Sequence, residues 1–185
     1  MTLLRIRADE TDVPVVPSDV AMIIGATEPI EVRLDEVHAG PVAAAAAEMQ
    51  VKFERGQPGF AYVEERDVLM VRLEHKVSCF TADEPESATN VHMQHIVAFQ
   101  VLHELEVSAA AIGAFIETNA YFIAYPYVRQ SITQFTAALG LPPVVLGFMK
   151  RDEWPFQEED GQDDSPKRNA DAGSAADKAA LELSK

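Results

Sequence analysis

The sequence predicts an α+β fold, an antiparallel four-stranded sheet with C-terminal helices packed on it. Three observations carry that prediction. Residues 67–81 alternate, with Leu69, Val71, Leu73, His75, Val77 and Cys79 on one side and Arg72, Glu74, Lys76 and Ser78 on the other. One-sided apolar alternation of this kind belongs to an antiparallel sheet with one solvated face. Beyond Ser108 the period changes, and Ile112, Phe115, Ile116, Phe122 and Ile123 recur at helical spacing. The helical run then meets Gly140, Pro142 and Pro143, which stop a helix and prevent it from resuming.

The elements follow in order. Residues 1–27 form an N-terminal segment. In it, Pro17, Ser18 and Asp19 ahead of an apolar stretch read as the start of a short helix that Pro29 would close. From Ile30 the period is two, and residues 31–37 read as a strand that Gly40 and Pro41 interrupt. The five alanines at 43–47 favour helix, yet Met49, Val51 and Phe53 alternate immediately after them, so residues 48–54 are predicted as a second strand. Residues 56–59 read as a turn, 67–81 as the third strand and 83–87 as a hairpin loop. The fourth strand spans 91–107; at about 3.3 Å per residue it would run roughly 55 Å, which predicts a bend or bulge. Ser108 is a candidate N-cap. Pro126 predicts a helix break near Tyr125, with a second helix running to Leu139, and residues 144–149 form one further apolar element. The folded domain thus spans 28–150. In the tail, 151–185, Trp154, Phe156, Leu181 and Leu183 are the only large apolar side chains, too few to offset ordering entropy, so the tail is expected to be disordered.

Composition narrows the function. The formal net charge of −15 argues against nucleic-acid binding, which needs clustered Lys and Arg. The single cysteine, Cys79, excludes an internal disulfide, and the short apolar patch at 20–26 is neither a leader nor a span, so a cytoplasmic protein without membrane insertion is expected.

The search for chemistry finds little. His103 and Glu104 begin like the zinc-protease pattern, but Val107 stands where the second histidine belongs. His92 and His95 fall on opposite faces of one strand, and His75, His95 and His103 lie in apolar strand registers, as hydrogen-bonded core or interface residues do. Cys79 on an apolar face reads as an inert small hydrophobe. No catalytic residue, metal site or cofactor is expected, and the chain reads as a non-enzyme. The surplus is of large apolar side chains. Phe99, Tyr121, Phe122, Tyr125, Tyr127, Phe135, Phe148, Met149 and Trp154 exceed what so small a core needs, which points to an oligomer interface or a groove for apolar segments of another protein.

Residues 125–132, Tyr-Pro-Tyr-Val-Arg-Gln-Ser-Ile, resemble the aromatic-Pro-Tyr-x-Arg-x-x-Ile helix start of the SecB family of export chaperones. The strand at 32–37 with Asp35 and Glu36, the long strands at 68–81 and 91–107, and the proline loop at 141–146 are similar to the matching parts of that family. The resemblance implies an ATP-independent holdase for unfolded or precursor proteins, a homotetramer built as a dimer of dimers, and delivery of clients to the SecA translocation motor in protein export. It implies client contacts at Phe99, Tyr121, Tyr125, Tyr127, Phe148 and Met149, motor docking at Asp35 and Glu36, and an oligomer interface at Arg129, Ile132 and Phe135. The sequence departs from the family at Gln100, where a carboxylate is expected, at Gly40 and after Lys150, where the final helix is not continued. Two other readings are a SecB-like chaperone dedicated to one client, such as an antitoxin, and a non-catalytic small-ligand-binding α+β domain.

Overall fold

The computed structural model describes residues 2–7, 17–40, 49–81 and 88–149. At its centre are two long antiparallel strands, β5 (Val68–Phe80) and β6 (Thr89–Val101), paired so that Leu73 stands opposite His95 and His75 opposite Met93. Their alternation does what the sequence predicts: Leu69, Val71, Leu73, His75, Val77 and Cys79 are buried on one face, while Arg72, Glu74 and Lys76 face the other way.

β2 (Thr27–Ala39) pairs with β6 and forms one edge. The other edge is shared by two short strands. β3 (Gln50–Arg55) pairs with residues 75–80 of β5, and β4 (Gly59–Val63) with residues 68–72. The antiparallel sheet is therefore four strands wide, as predicted, with one edge strand broken in two. Gly56 sits at the break because its amide donates to the Glu74 carbonyl at 2.9 Å, and an added Cβ would come within 2.9 Å of the Glu74 Cβ.

Three expectations need correction here. The first helix, α1 (Pro17–Ala26), ends before Pro29, and the Thr27 hydroxyl donates to the Ile23 carbonyl at 2.7 Å at the junction. Pro29 instead lies in edge strand β2 beside a register shift, where a missing N–H is tolerated. The strand expected over 91–107 is two strands, because the ladder ends at Val101. The Leu102 amide donates to the Ala26 carbonyl at 2.8 Å, and β7 (Leu105–Ser108) resumes in a separate parallel pair with β1 (Leu4–Arg7). His103 falls in that break and is exposed, so it is not an interior residue.

The third correction concerns the helices. The Ser108 hydroxyl caps α2 (Ala109–Phe115) by accepting the Ala111 amide at 3.0 Å. A π-helical turn (Ile116–Ala120) follows, and then α3 (Tyr121–Ala138) runs straight through Pro126 with no break near Tyr125. The carbonyl that loses its partner belongs to Phe122, on the exposed face, whereas Tyr121, Ala124, Tyr125 and Val128 are buried on the opposite side. Their burial holds the helix together across a proline that costs about 3 kcal/mol. α3 stops in a Schellman motif. Gly140 takes φ +74°, its amide donates to the Ala137 carbonyl, and the Leu141 amide donates to the Thr136 carbonyl, both at 3.0 Å.

After the stop, residues 141–149 turn back along α3 as an irregular strap. The Val144 amide donates to the Thr136 hydroxyl at 3.0 Å, the Thr133 hydroxyl to the Val144 carbonyl at 2.8 Å and the Tyr125 hydroxyl to the Gly147 carbonyl at 2.7 Å. The core lies between β5, β6 and the helices, with Phe99 and Phe115 meeting edge to face at 5.1 Å. The alanine run at 43–47, the loop at 83–87 and the tail at 151–185 lie outside the described residues.

Candidate functional site: an apolar cleft at the sheet edge

The helical layer covers the sheet unevenly. At its middle, a polar cluster ties strand to helix. His75 and Tyr121 share a 2.7 Å hydrogen bond, His95 and Ser131 share one of 3.1 Å, and the two imidazoles meet edge to face at 5.5 Å. Burial, then neighbouring His95 and Arg55, lowers His75 to about 3, and burial lowers His95 to about 4, so both rings are neutral at pH 7. Burial likewise raises the Tyr121 hydroxyl. From the end of β3, Arg55 reaches Glu117 in the π turn at 2.7 Å and lies 5.0 Å over the Tyr121 ring. These groups anchor the edge strand to the helices. The Ser131 hydroxyl beside His95 and the Tyr121 hydroxyl beside His75 are both buried, where they join helix to sheet away from solvent, and no group of three or more His, Cys, Asp or Glu among the described residues could hold a metal ion. No described helix is long and apolar enough to cross a membrane.

Further along the same edge the cover lifts. A cleft of about 640 Å³ opens between β3 and the strap, lined by Met49, Val51, Phe53, Cys79 and residues 142–146. Each wall has a local cause. Val51 and Phe53 pair with Cys79 and Val77, and so share the apolar face of the sheet. Pro142 and Pro143 keep the strap from resuming a helix, and its bonds to Thr133 and Thr136 fix its distance from α3. Val51 is 44% exposed and Val145 63%. The cleft can take up apolar side chains, while among the described residues β3 is the outer strand on that side and leaves backbone groups for an extended chain to pair with. Cys79 lies at the floor, buried, with its thiol pushed up by burial, as an inert residue.

The residues singled out from the sequence are placed differently. Phe99 and Tyr121 are 1% exposed and Tyr125 is 5% exposed, so all three join helix to sheet rather than face an open groove. Tyr127 and Phe148 are exposed, and Met149 packs partly against the core. None of the six lines the cleft. Ile132 is fully buried within the chain, whereas Arg129 and Phe135 are half-buried, and the Arg129 guanidinium lies 4.3 Å over the Phe148 ring. Asp35 is the extra residue of a β2 bulge. It pairs with Arg33 at 3.3 Å and accepts from the Gln94 amide at 2.9 Å, and the carboxylates of Glu31 and Asp35 raise Arg33. Glu36 stands opposite Gln94 on the solvent-facing side. That side carries a shallow depression of about 380 Å³ ringed by Glu36, Glu54, Glu74, Lys76, His38 and His92.

No protein-family profile and no curated protein sequence matches the chain. Solved structures do. The SecB-like chaperone Rv1957 of Mycobacterium tuberculosis, solved in complex with a ChAD peptide from the Rv1956 HigA1 antitoxin, superimposes with a TM-score of 0.62 at 18% identity, over 74% of this chain and 99% of that one. The fold is SecB-like. A protein of unknown function from Streptococcus agalactiae also aligns, at a TM-score of 0.32 and 12% identity over 66% of this chain and 97% of that one. The sequence failed to locate the cleft because its aromatic residues drew attention to α3. The useful signal was Val51, an apolar residue on a short strand, together with the double proline.

Proposed function

We propose that this chain is a molecular chaperone of the holdase type, which binds apolar, extended segments of unfolded proteins in the cleft between β3 and the strap and does so without ATP. The observation that carries the reading is the open apolar cleft beside an edge strand in a SecB-like fold. Holding needs apolar area next to unpaired backbone, inside a surface acidic enough to stay soluble, and the net charge of −15 suits that. No catalytic residue is required, and the proposed activity is not enzymatic. Exposed Tyr127 and Phe148, with Met149, extend the apolar surface at the end of the strap.

A single dedicated client, such as an antitoxin segment, is favoured over general export by the neighbour whose antitoxin peptide was captured in the complex. For export through the SecA motor the support is the solvent-facing pair Asp35 and Glu36. Assembly as a homotetramer in the cytoplasm, with Arg129 and Phe135 at a contact between copies, belongs to the same proposal. The test is aggregation of a reduced, unfolded protein with and without the purified chain, in the absence of ATP, alongside its mass in solution. Suppression at near-stoichiometric ratio by a four-subunit particle is expected. A monomer that suppresses nothing, and binds no unfolded segment, would overturn the reading in favour of a ligand-binding domain.

A further inference from the structure

The strap lines the cleft with residues 142–146 and ends three residues further on, at Met149, and the chain continues. Met149 packs against the core, and five residues later comes Trp154, the only tryptophan, followed by Pro155 and Phe156. Along the sequence these are the first large apolar residues after the strap, in a stretch otherwise made of charged, polar and small side chains. At about 3.3 Å per residue, the chain from Met149 to Phe156 reaches roughly 23 Å, ample to turn back along a strap of nine residues. Charge favours that return. Arg129 stacks on Phe148 at 4.3 Å and has no ion pair among the described residues, while Asp152 and Glu153 come just before Trp154. Their passage over the guanidinium would set Trp154 against the strap. Pro155 suits an extended segment beside an edge strand, where a missing N–H costs nothing.

We propose that Trp154, Pro155 and Phe156 fold back into the apolar cleft between β3 and the strap and occupy it in the absence of a client. The proposal rests on the cleft being the client site, and makes the tail an internal competitor for it. A tethered segment acts at a millimolar effective concentration, so even weak intrinsic affinity near 0.1 mM would lower client affinity by about tenfold.

The single tryptophan supplies the test. In the full-length protein without client, Trp154 emission is expected to be blue-shifted and protected from acrylamide, unchanged by dilution. Val145→Asp, an exposed cleft residue, is expected to shift it to the red. An unfolded client peptide labelled with fluorescein should bind Trp154→Ala/Phe156→Ala about tenfold more tightly than wild type and displace Trp154 from its shielded state. Solvent-exposed emission in the wild type would overturn the proposal, whatever the client result, as would shielding that vanishes on dilution or survives Val145→Asp. Shielded, Val145-dependent emission with no client binding to either protein would support the docking and sink the chaperone reading instead.

Discussion

The inner face of the sheet meets the helical half of the molecule in two ways. Around Leu69, Leu73, Val97 and Phe99 it is sealed by α2 and α3, with side chains from both layers buried almost completely. Around Val51, Phe53 and Cys79 it meets only the strap, and a cleft remains. The two regions share a strand, β5, and the same kind of residue. What differs is the covering element. A helix presents a broad apolar stripe that interlocks with the sheet, whereas an irregular strap held to α3 by hydrogen bonds stands off from it. Burial in the first region stabilises the fold. Exposure in the second leaves apolar surface open to solvent.

If that division holds, substitutions should separate stability from binding. The largest effect is expected at Phe115, whose ring fills the sealed region against Phe99; Phe115→Ala should cost about 3–5 kcal/mol in urea unfolding. Acidification comes next. His75 and His95 are held neutral when folded, well below the usual histidine value, so their contribution is complete above about pH 6.5 and is lost as pH falls toward their folded values near 3 and 4. Stability by denaturation should drop by on the order of 2 kcal/mol per histidine by about pH 4.5, and His75→Gln, which keeps a partner for Tyr121, should flatten the slope. An equal slope in that variant would remove His75 as a source of the acid sensitivity and leave it to His95 and the carboxylates. Gly140→Ala should cost about 1 kcal/mol, because φ +74° strains an alanine. Smallest of all, Val145→Asp should change stability by no more than about 0.5 kcal/mol while abolishing client holding. A variant that holds clients as well as wild type would place the site elsewhere.

Much of the sealed region was legible in sequence, because period carries burial. The strict alternation from Leu69 to Cys79 could hardly have another meaning, and Ser108 and Gly140 mark the ends of the helical half as their chemistry requires. The short strand β3 was legible, but β1 and β4 were not. β1 alternates Leu4, Arg5, Ile6, Arg7 over too few residues, and β4 begins at a glycine, so pairing rather than pattern defines both. Pro126 misled because a local rule predicted a break that burial of Tyr121, Tyr125 and Val128 overrides. The cleft was hidden for a different reason. An open site is a place where two elements fail to meet, and no residue type announces that. Aromatic richness pointed to the surface, yet Phe99 and Tyr121 proved to be interior.

The parallel pairing of β1 with β7 has a consequence in time. Leu4 aligns with Leu105, so the first strand must wait for roughly a hundred further residues before its partner exists. During synthesis at about 5–20 residues per second that delay lasts several seconds, with Leu4 and Ile6 unprotected throughout. Because long-range contacts form late, the closing of this pair should be among the last steps of folding, after the β5–β6 hairpin has collapsed. The fold is thus completed by a strand that is made first and paired last.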